Sequence, residues 1–298
     1  MEVSCKIGGN ELDPFQLTFL RFLIGGLVLL PFGLSHLKKN EIKLMPKDFL
    51  VLTGVGVLGI PISMVLFQIS IMMCNASTVS VLICVNPFFT MVFAHIFTDE
   101  KLNRYKLIVL AIALCGIFFM LRPWDVQAGN SALGMFLMIL AAFFFGLYTI
   151  AGKTITAKIG TYAQTSLSFL LGCGVLLIIM LIAGKPVIAN VADNIPITLY
   201  TGIFVTGIGY FCYFKSIELA DAATGSFAFF LKPAIAPVIA MIVLHETVLW
   251  NTVVGIALIL VASLLNIMYQ RKALSMQKRR RAEREFLEDQ KKKQRQIK

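Results

Sequence analysis

Nine apolar runs of about 20 residues restrict this chain to one kind of fold. At 1.5 Å per residue, such a run crosses a hydrocarbon layer roughly 30 Å thick. The runs lie near 14–34, 47–70, 76–98, 104–122, 132–152, 162–184, 197–217, 222–244 and 250–270. Most lack the polar stripe at a 3.6-residue period that marks a helix resting on a soluble core. Hydrophobic residues make up 58% of the chain and charged ones 14%, against about 45–50% and about 25% in soluble domains. Charged or turn-forming groups separate the runs, among them Lys38-Lys39-Asn40, Asp99-Glu100-Lys101 and Arg122-Pro123-Trp124-Asp125. The runs do not alternate as membrane strands with a polar inner face must, which excludes a β-barrel. The expected fold is an all-α membrane protein with nine transmembrane helices.

Lysine and arginine set its orientation, because positive charge accumulates on the cytoplasmic side. Lys38, Lys39, Lys43 and Lys47 follow the first run, and Lys101, Arg104 and Lys106 follow the third. Lys153 and Lys158 follow the fifth, and twelve basic residues lie in 271–298. All fall on one side, while the other receives Lys6, Arg122 and Lys185. The C-terminus is therefore expected in the cytoplasm of a cell with a multi-pass protein in its plasma membrane. The tail, with Arg279-Arg280-Arg281 and Lys291-Lys292-Lys293, suits anionic lipid headgroups at about 1 kcal/mol per basic residue. Nucleic acid is not expected as a partner.

Sliding the chain on itself by 146 positions aligns Ser70 with Ser216, Thr78 with Thr224, Ser80 with Ser226, Pro87 with Pro233 and Glu100 with Glu246. At an offset of 147, Thr18 meets Thr165, Gly25 meets Gly172 and Lys6 meets Lys153. Apolar coincidences are common in membrane helices, but a shared register of Pro, Glu, Ser and Thr is not. Two repeats are expected, 1–125 and 132–270, followed by the basic tail 271–298. The second repeat contains five helices and the first four, as though the first helix of a five-plus-five unit were absent. Five is odd, so the repeats lie inverted in the membrane, a common organisation of transporters.

Asp13-Pro14-Phe15 followed by Leu20-Arg21-Phe22 resembles the start of the second helix in EamA-type members of the drug/metabolite transporter superfamily. Asn86-Pro87 with Glu100, repeated as Lys232-Pro233 with Glu246, is similar to the Pro…Glu helix in each half of that family. The resemblance implies ten helices with both ends cytoplasmic and transport of small metabolites. The chain is accordingly expected to be a secondary transporter, an exporter, for a small polar or amphipathic molecule, working by alternating access. The alternative, prompted by the absent first helix, is a non-transporting or degenerate membrane scaffold.

A proline within a helix leaves the carbonyl four residues earlier without its donor. Pro87 frees Ile83 and Pro233 frees Phe229, so both breaks should face protein or a wet cavity. Matched breaks in two halves point to a binding site. The residues before them, Asn86 and Lys232, are its first candidates. Lysine at a span centre costs about 2.5–3.5 kcal/mol on insertion scales. Two roles fit Lys232: pairing with a substrate carboxylate, or a structural contact to freed carbonyls. Tyr148, Tyr210, Ser80 and Ser226 are further substrate-binding candidates, and Glu100 and Glu246 are helix-end gating candidates.

Several other residues have plainer readings. Arg21, about seven residues inside its span, either snorkels to the outer surface or serves function, its repeat partner being the neutral Ser168. Phe143, Phe144, Phe145, Tyr213, Phe227, Phe229 and Phe230 read as lipid-facing or packing residues. Gly54, Gly56, Gly59, Gly202, Gly207 and Gly209 read as helix-contact positions. The six cysteines read as small buried hydrophobes. The acidic residues all read as loop, tail or span-end groups, leaving no carboxylate for ion coupling within the membrane. Phosphate-binding loops, metal-ligand clusters and nucleophilic triads are absent from the sequence, so neither an enzyme nor a cofactor is expected.

Overall fold

The computed structural model describes residues 1–100, 104–121 and 129–220, and within the remainder 225, 229, 232–244, 250–251, 253–262, 264–265 and 268. The described secondary structure is entirely helical. Helix α1 covers Glu2–Glu11 and α2 covers Pro14–Lys39. Then follow α3, Pro46–Met73, and α4, Ala76–Phe97, with α5 over Arg104–Leu121. The later helices are α6, Ala132–Ile159, α7, Thr161–Ile182, and α8, Ala192–Leu219. Helix α9 is Lys232–Leu244, and α10 contains the apolar stretch Val253–Ala262. Among the described residues six helices (α2, α3, α4, α6, α7 and α8) are long and apolar enough to cross a membrane. Of the three further spans expected from sequence, α5, α9 and α10 cover the described parts, and all three border undescribed residues.

Local chemistry fixes the helix ends. The Asp13 carboxylate accepts the Phe15 amide hydrogen at 2.9 Å, and Pro14 at the first position of α2 has no amide hydrogen to satisfy. At the other end Lys38 and Lys39 complement the carboxyl pole of the helix dipole. Asp48 accepts the Met45 amide at 2.8 Å and pairs with Lys158 of α6 at 2.6 Å. Gly160, between α6 and α7, has φ +82°, a conformation in which a Cβ would be strained.

Two helices widen into π-helical segments, Leu58–Met64 in α3 and Thr201–Ile208 in α8. Pro61 lies within the first, where the missing amide forces the ladder to re-register. In α4 the break falls at a 3-10 turn, Ile83–Val85, and the Ile83 carbonyl accepts the Asn86 amide. The carbonyl expected to be orphaned by Pro87 is thus satisfied by tightening the turn.

The core forms where α2 crosses α7, with α3 and α8 against them. Phe22 and Phe169 meet edge to face there at 4.7 Å. A Cβ on Gly172 would lie 2.6 Å from the Gly56 carbonyl oxygen, so these backbones touch. Gly59 accommodates the Tyr148 ring. Gly54 departs from the expected packing role, having nothing within 4 Å of its Cβ position, and Gly209 meets only the Phe204 carbonyl at 3.6 Å. Leu27, Phe136 and Ile182 are exposed on the outside, where water would be an unfavourable neighbour and lipid a favourable one.

Candidate functional site

A cavity of about 310 Å³ opens where α3, α4, α6, α8 and α9 meet, with Met1 at its edge. Its wall includes Met64, Phe67, Ile83, Phe145, Tyr210, Tyr213, Phe229 and Lys232. The Ile83 and Phe229 positions are the two carbonyl sites four residues before the matched prolines. These two positions therefore border one space.

Cys84 joins them. Its thiol donates to the Phe229 carbonyl at 3.1 Å and lies equally near the Ser80 carbonyl. The carbonyl freed by Pro233 thereby gains a donor from the opposite break. Sequence reasoning assigned Cys84 to inert packing, because nothing local announces a partner 145 residues away.

Lys232 lines the cavity as the first residue of α9. Its ammonium donates to the Glu2 carboxylate at 2.8 Å and sits 4.6 Å from the centre of the Phe229 ring. Glu2 is 3% exposed at its side chain and Lys232 24%, so the carboxylate is sealed while the ammonium keeps a face toward the cavity. Glu2 overturns the expectation that every acidic group stays at a loop, tail or span end: α1 packs against α3, α4 and α9 and carries it inside.

Three aromatic rings expected to be lipid-facing or packing residues meet at the cavity beside Tyr210, which was a binding candidate. Phe145, Tyr213 and Phe229 are mutually 5.4–5.7 Å apart, and Tyr210 lies 5.9 Å from Phe145. The Tyr213 hydroxyl shares a hydrogen bond with Thr149 at 2.9 Å, and that of Tyr210 donates to the Met64 sulfur at 2.9 Å. Aromatic side chains look alike in sequence whether they face lipid or a pocket. Only the helix packing separates them.

The remaining candidates are placed less centrally. Asn86 is buried beside the break, where its carbonyl oxygen accepts from Thr90 at 3.1 Å. Tyr148 is one layer behind the wall, 6.4 Å from Tyr210. The Ser80 hydroxyl donates back to Ser77 at 2.7 Å, a local helix bond. Pro87 follows Asn86 in the second segment of α4, and Pro233 follows Lys232 in α9. Glu100 forms an ion pair with Lys153 of α6. Ser226 and Glu246 lie outside the described residues.

Arg21 corrects the sequence expectation of snorkelling. It is fully buried, with Nη1 3.6 Å from the Cys5 sulfur and its guanidinium against Phe22 and Phe67.

Comparison with known proteins gives this geometry a context. The model of the EamA-like transporter family matches residues 2–122 and again 132–268. An uncharacterized transporter of Clostridium kluyveri is 34% identical over 284 residues, 93% of this chain and 91% of that protein. An S-adenosylmethionine uptake transporter of Rickettsia prowazekii is 24% identical, covering 92% of this chain and 90% of its own length. A solved crystal structure superposes with a TM-score of 0.69 at 16% identity over 91% of this chain and 95% of that one, a likeness of fold.

Proposed function

The chain belongs to the EamA-like transporter family, a multi-pass membrane protein acting on a small-molecule substrate, and we propose that it exports small polar or amphipathic metabolites by alternating access. The observation carrying this reading is the cavity between the two proline breaks, with walls from both halves of the chain. Its aromatic rings suit an apolar body, and Lys232 supplies a polar contact at one end. A drug-sized pocket of about 300 Å³ or more is the usual size for a small ligand.

Several correspondences support inverted repeats as the moving parts. Asn86-Pro87 and Lys232-Pro233 lie in helices, Asn86–Phe97 and Lys232–Leu244, at the offset found in the sequence. The π-helical segment 58–64 maps to 204–210 at that offset, overlapping the observed Thr201–Ile208. Two matches to the family model divide the chain near the expected boundary. Rocking one half against the other would expose the cavity alternately to the two sides. The Glu100–Lys153 pair, which links α6 to the residues just after α4, is positioned to break as one side opens. The basic tail lies on the cytoplasmic face of the plasma membrane against anionic headgroups.

S-adenosylmethionine uptake is a second reading, favoured by the ring cluster of Phe145, Tyr213 and Phe229. A sulfonium held against aromatic faces gains a cation–π contact. Flux of 3-phenylpropanoate, hexanoate and S-adenosylmethionine across proteoliposomes, measured with each orientation of gradient, tests both. Saturable outward flux of the carboxylates is expected. Saturable inward flux of S-adenosylmethionine alone favours the second reading, and no saturable flux of any compound favours a non-transporting protein.

A further inference from the structure

Among the described residues, the cations and anions buried around the cavity do not balance. Lys232 has Glu2 as its counterion at 2.8 Å. Arg21, on α2, is fully buried and carries a guanidinium with five N–H donors. Its Nη1 reaches only the Cys5 sulfur, at 3.6 Å, a weak acceptor. Its Nε and Nη2 meet no acceptor among the described residues. Contacts with the rings of Phe22, 4.8 Å away, and Phe67, 5.8 Å away, offset only a small part of the desolvation of a full charge.

Neighbouring polar groups are also unsatisfied. Thr18, one turn before Arg21 on α2, is buried with a partnerless hydroxyl. Gln68 donates its amide to the Cys5 carbonyl at 2.9 Å, but its own carbonyl oxygen has no partner. Arg21 and Gln68 both reach Cys5, so these groups converge on one place. That place adjoins the cavity: Phe67 belongs to the cavity wall, and Phe22 stands 5.3 Å from Tyr210, another wall residue.

We propose that Arg21 is the anion-recognition residue of the transport site, binding the carboxylate of an amphipathic substrate whose apolar body fills the aromatic cavity. This rests on the reading of the cavity as that site. The Nε–Nη2 edge is the side of a guanidinium that matches the two oxygens of a carboxylate. Thr18 can add a third donor, and the Gln68 oxygen can accept from a substrate N–H. Phe67 lies against the guanidinium and lines the cavity, and its turning aside completes the site. The anion preference assigned to Lys232 by position alone thus passes to Arg21, because Glu2 already neutralises the lysine.

The test uses the purified full chain in lipid nanodiscs and reads thermal stabilisation on titration with 3-phenylpropanoate, hexanoate, their neutral amides and sodium chloride. Wild type should be stabilised by the carboxylates. Arg21→Gln should bind them about tenfold or more weakly, the loss expected for a charge-assisted pair, while its affinity for the amides is unchanged. Without ligand, Arg21→Gln should unfold no earlier than wild type, since an uncompensated charge has been removed. Arg21→Lys keeps the charge but not the two-pronged edge, and should lose carboxylate affinity several-fold; it decides the matter if Arg21→Gln does not fold. Equal carboxylate affinity in wild type and the folded variants overturns the proposal. So does stabilisation by chloride that carboxylates do not displace, or a wild type indifferent to both carboxylates. Arg21-dependent binding without flux in proteoliposomes would refute transport and leave the anion site standing.

Discussion

Lys232 and Glu2 cannot be changed independently, since their side chains pair at 2.8 Å in a largely water-excluded place, with the Met1 amine 3.7 Å from the same carboxylate. A buried pair adds little net stability, but removing one member leaves a charge stranded, at a cost of about 3–5 kcal/mol. Lys232→Asn, which copies the repeat partner Asn86, should therefore lower the unfolding temperature sharply by stranding Glu2. Adding Glu2→Gln should restore most of the loss, which a two-by-two comparison of thermal unfolding would reveal. If the double variant is as unstable as Lys232→Asn alone, the two residues are not coupled. Lys232 was legible from sequence because a lysine in an apolar run is costly wherever its partner lies. Glu2 was not, because a carboxylate at the start of a chain gives no local sign that α1 will fold back onto α9. Arg21 was misread for a related reason: whether it snorkels depends on which helices cover it.

At the scale of elements, the helices follow from apolar run length, and the breaks from proline stereochemistry. Pro87 and Pro233 were readable because a missing amide has a fixed consequence four residues upstream. The π-helical segments were not, since the change of register depends on packing along the whole of α3 and α8. Glycine contacts are intermediate: a glycine permits close approach without determining that a helix approaches. Gly172 and Gly174 lie on one helix and separate the cases. A Cβ at 172 would press on the Gly56 backbone at 2.6 Å, whereas at 174 it meets nothing within 4 Å. Gly172→Ala should destabilise by about 1–3 kcal/mol through overpacking. Gly174→Ala should be neutral or stabilising by up to about 1 kcal/mol, because it raises helix propensity in open space. Similar unfolding temperatures for the two variants would show that α3 and α7 do not touch at Gly56.

For the whole molecule, charge asymmetry predicts orientation and the cavity predicts function. The tail after α10 should be cytoplasmic, and the loop between α7 and α8 outside. Ile188 is exposed in that loop, so Ile188→Cys should react with a membrane-impermeant thiol reagent on intact cells. A reporter fused after Lys298 should be active inside. Labelling only after permeabilisation, with the exposed native Cys115 and Cys212 replaced, would reverse the topology. The aromatic cavity itself was not legible, because phenylalanines that face lipid and those that face a substrate differ only in what packs beside them.

The central claim, that substrate passes through the cavity between the proline breaks, is tested most directly by filling it. Gly209 lines the cavity, and its Cβ position meets only the Phe204 carbonyl at 3.6 Å. Gly209→Trp should place an indole in the space without displacing a helix. The measurement is initial flux of 3-phenylpropanoate, hexanoate and S-adenosylmethionine in proteoliposomes, with unfolding temperature recorded on the same preparation. The account predicts a near-complete loss of saturable flux at an unfolding temperature close to that of wild type. Wild-type flux through a folded Gly209→Trp protein would contradict it.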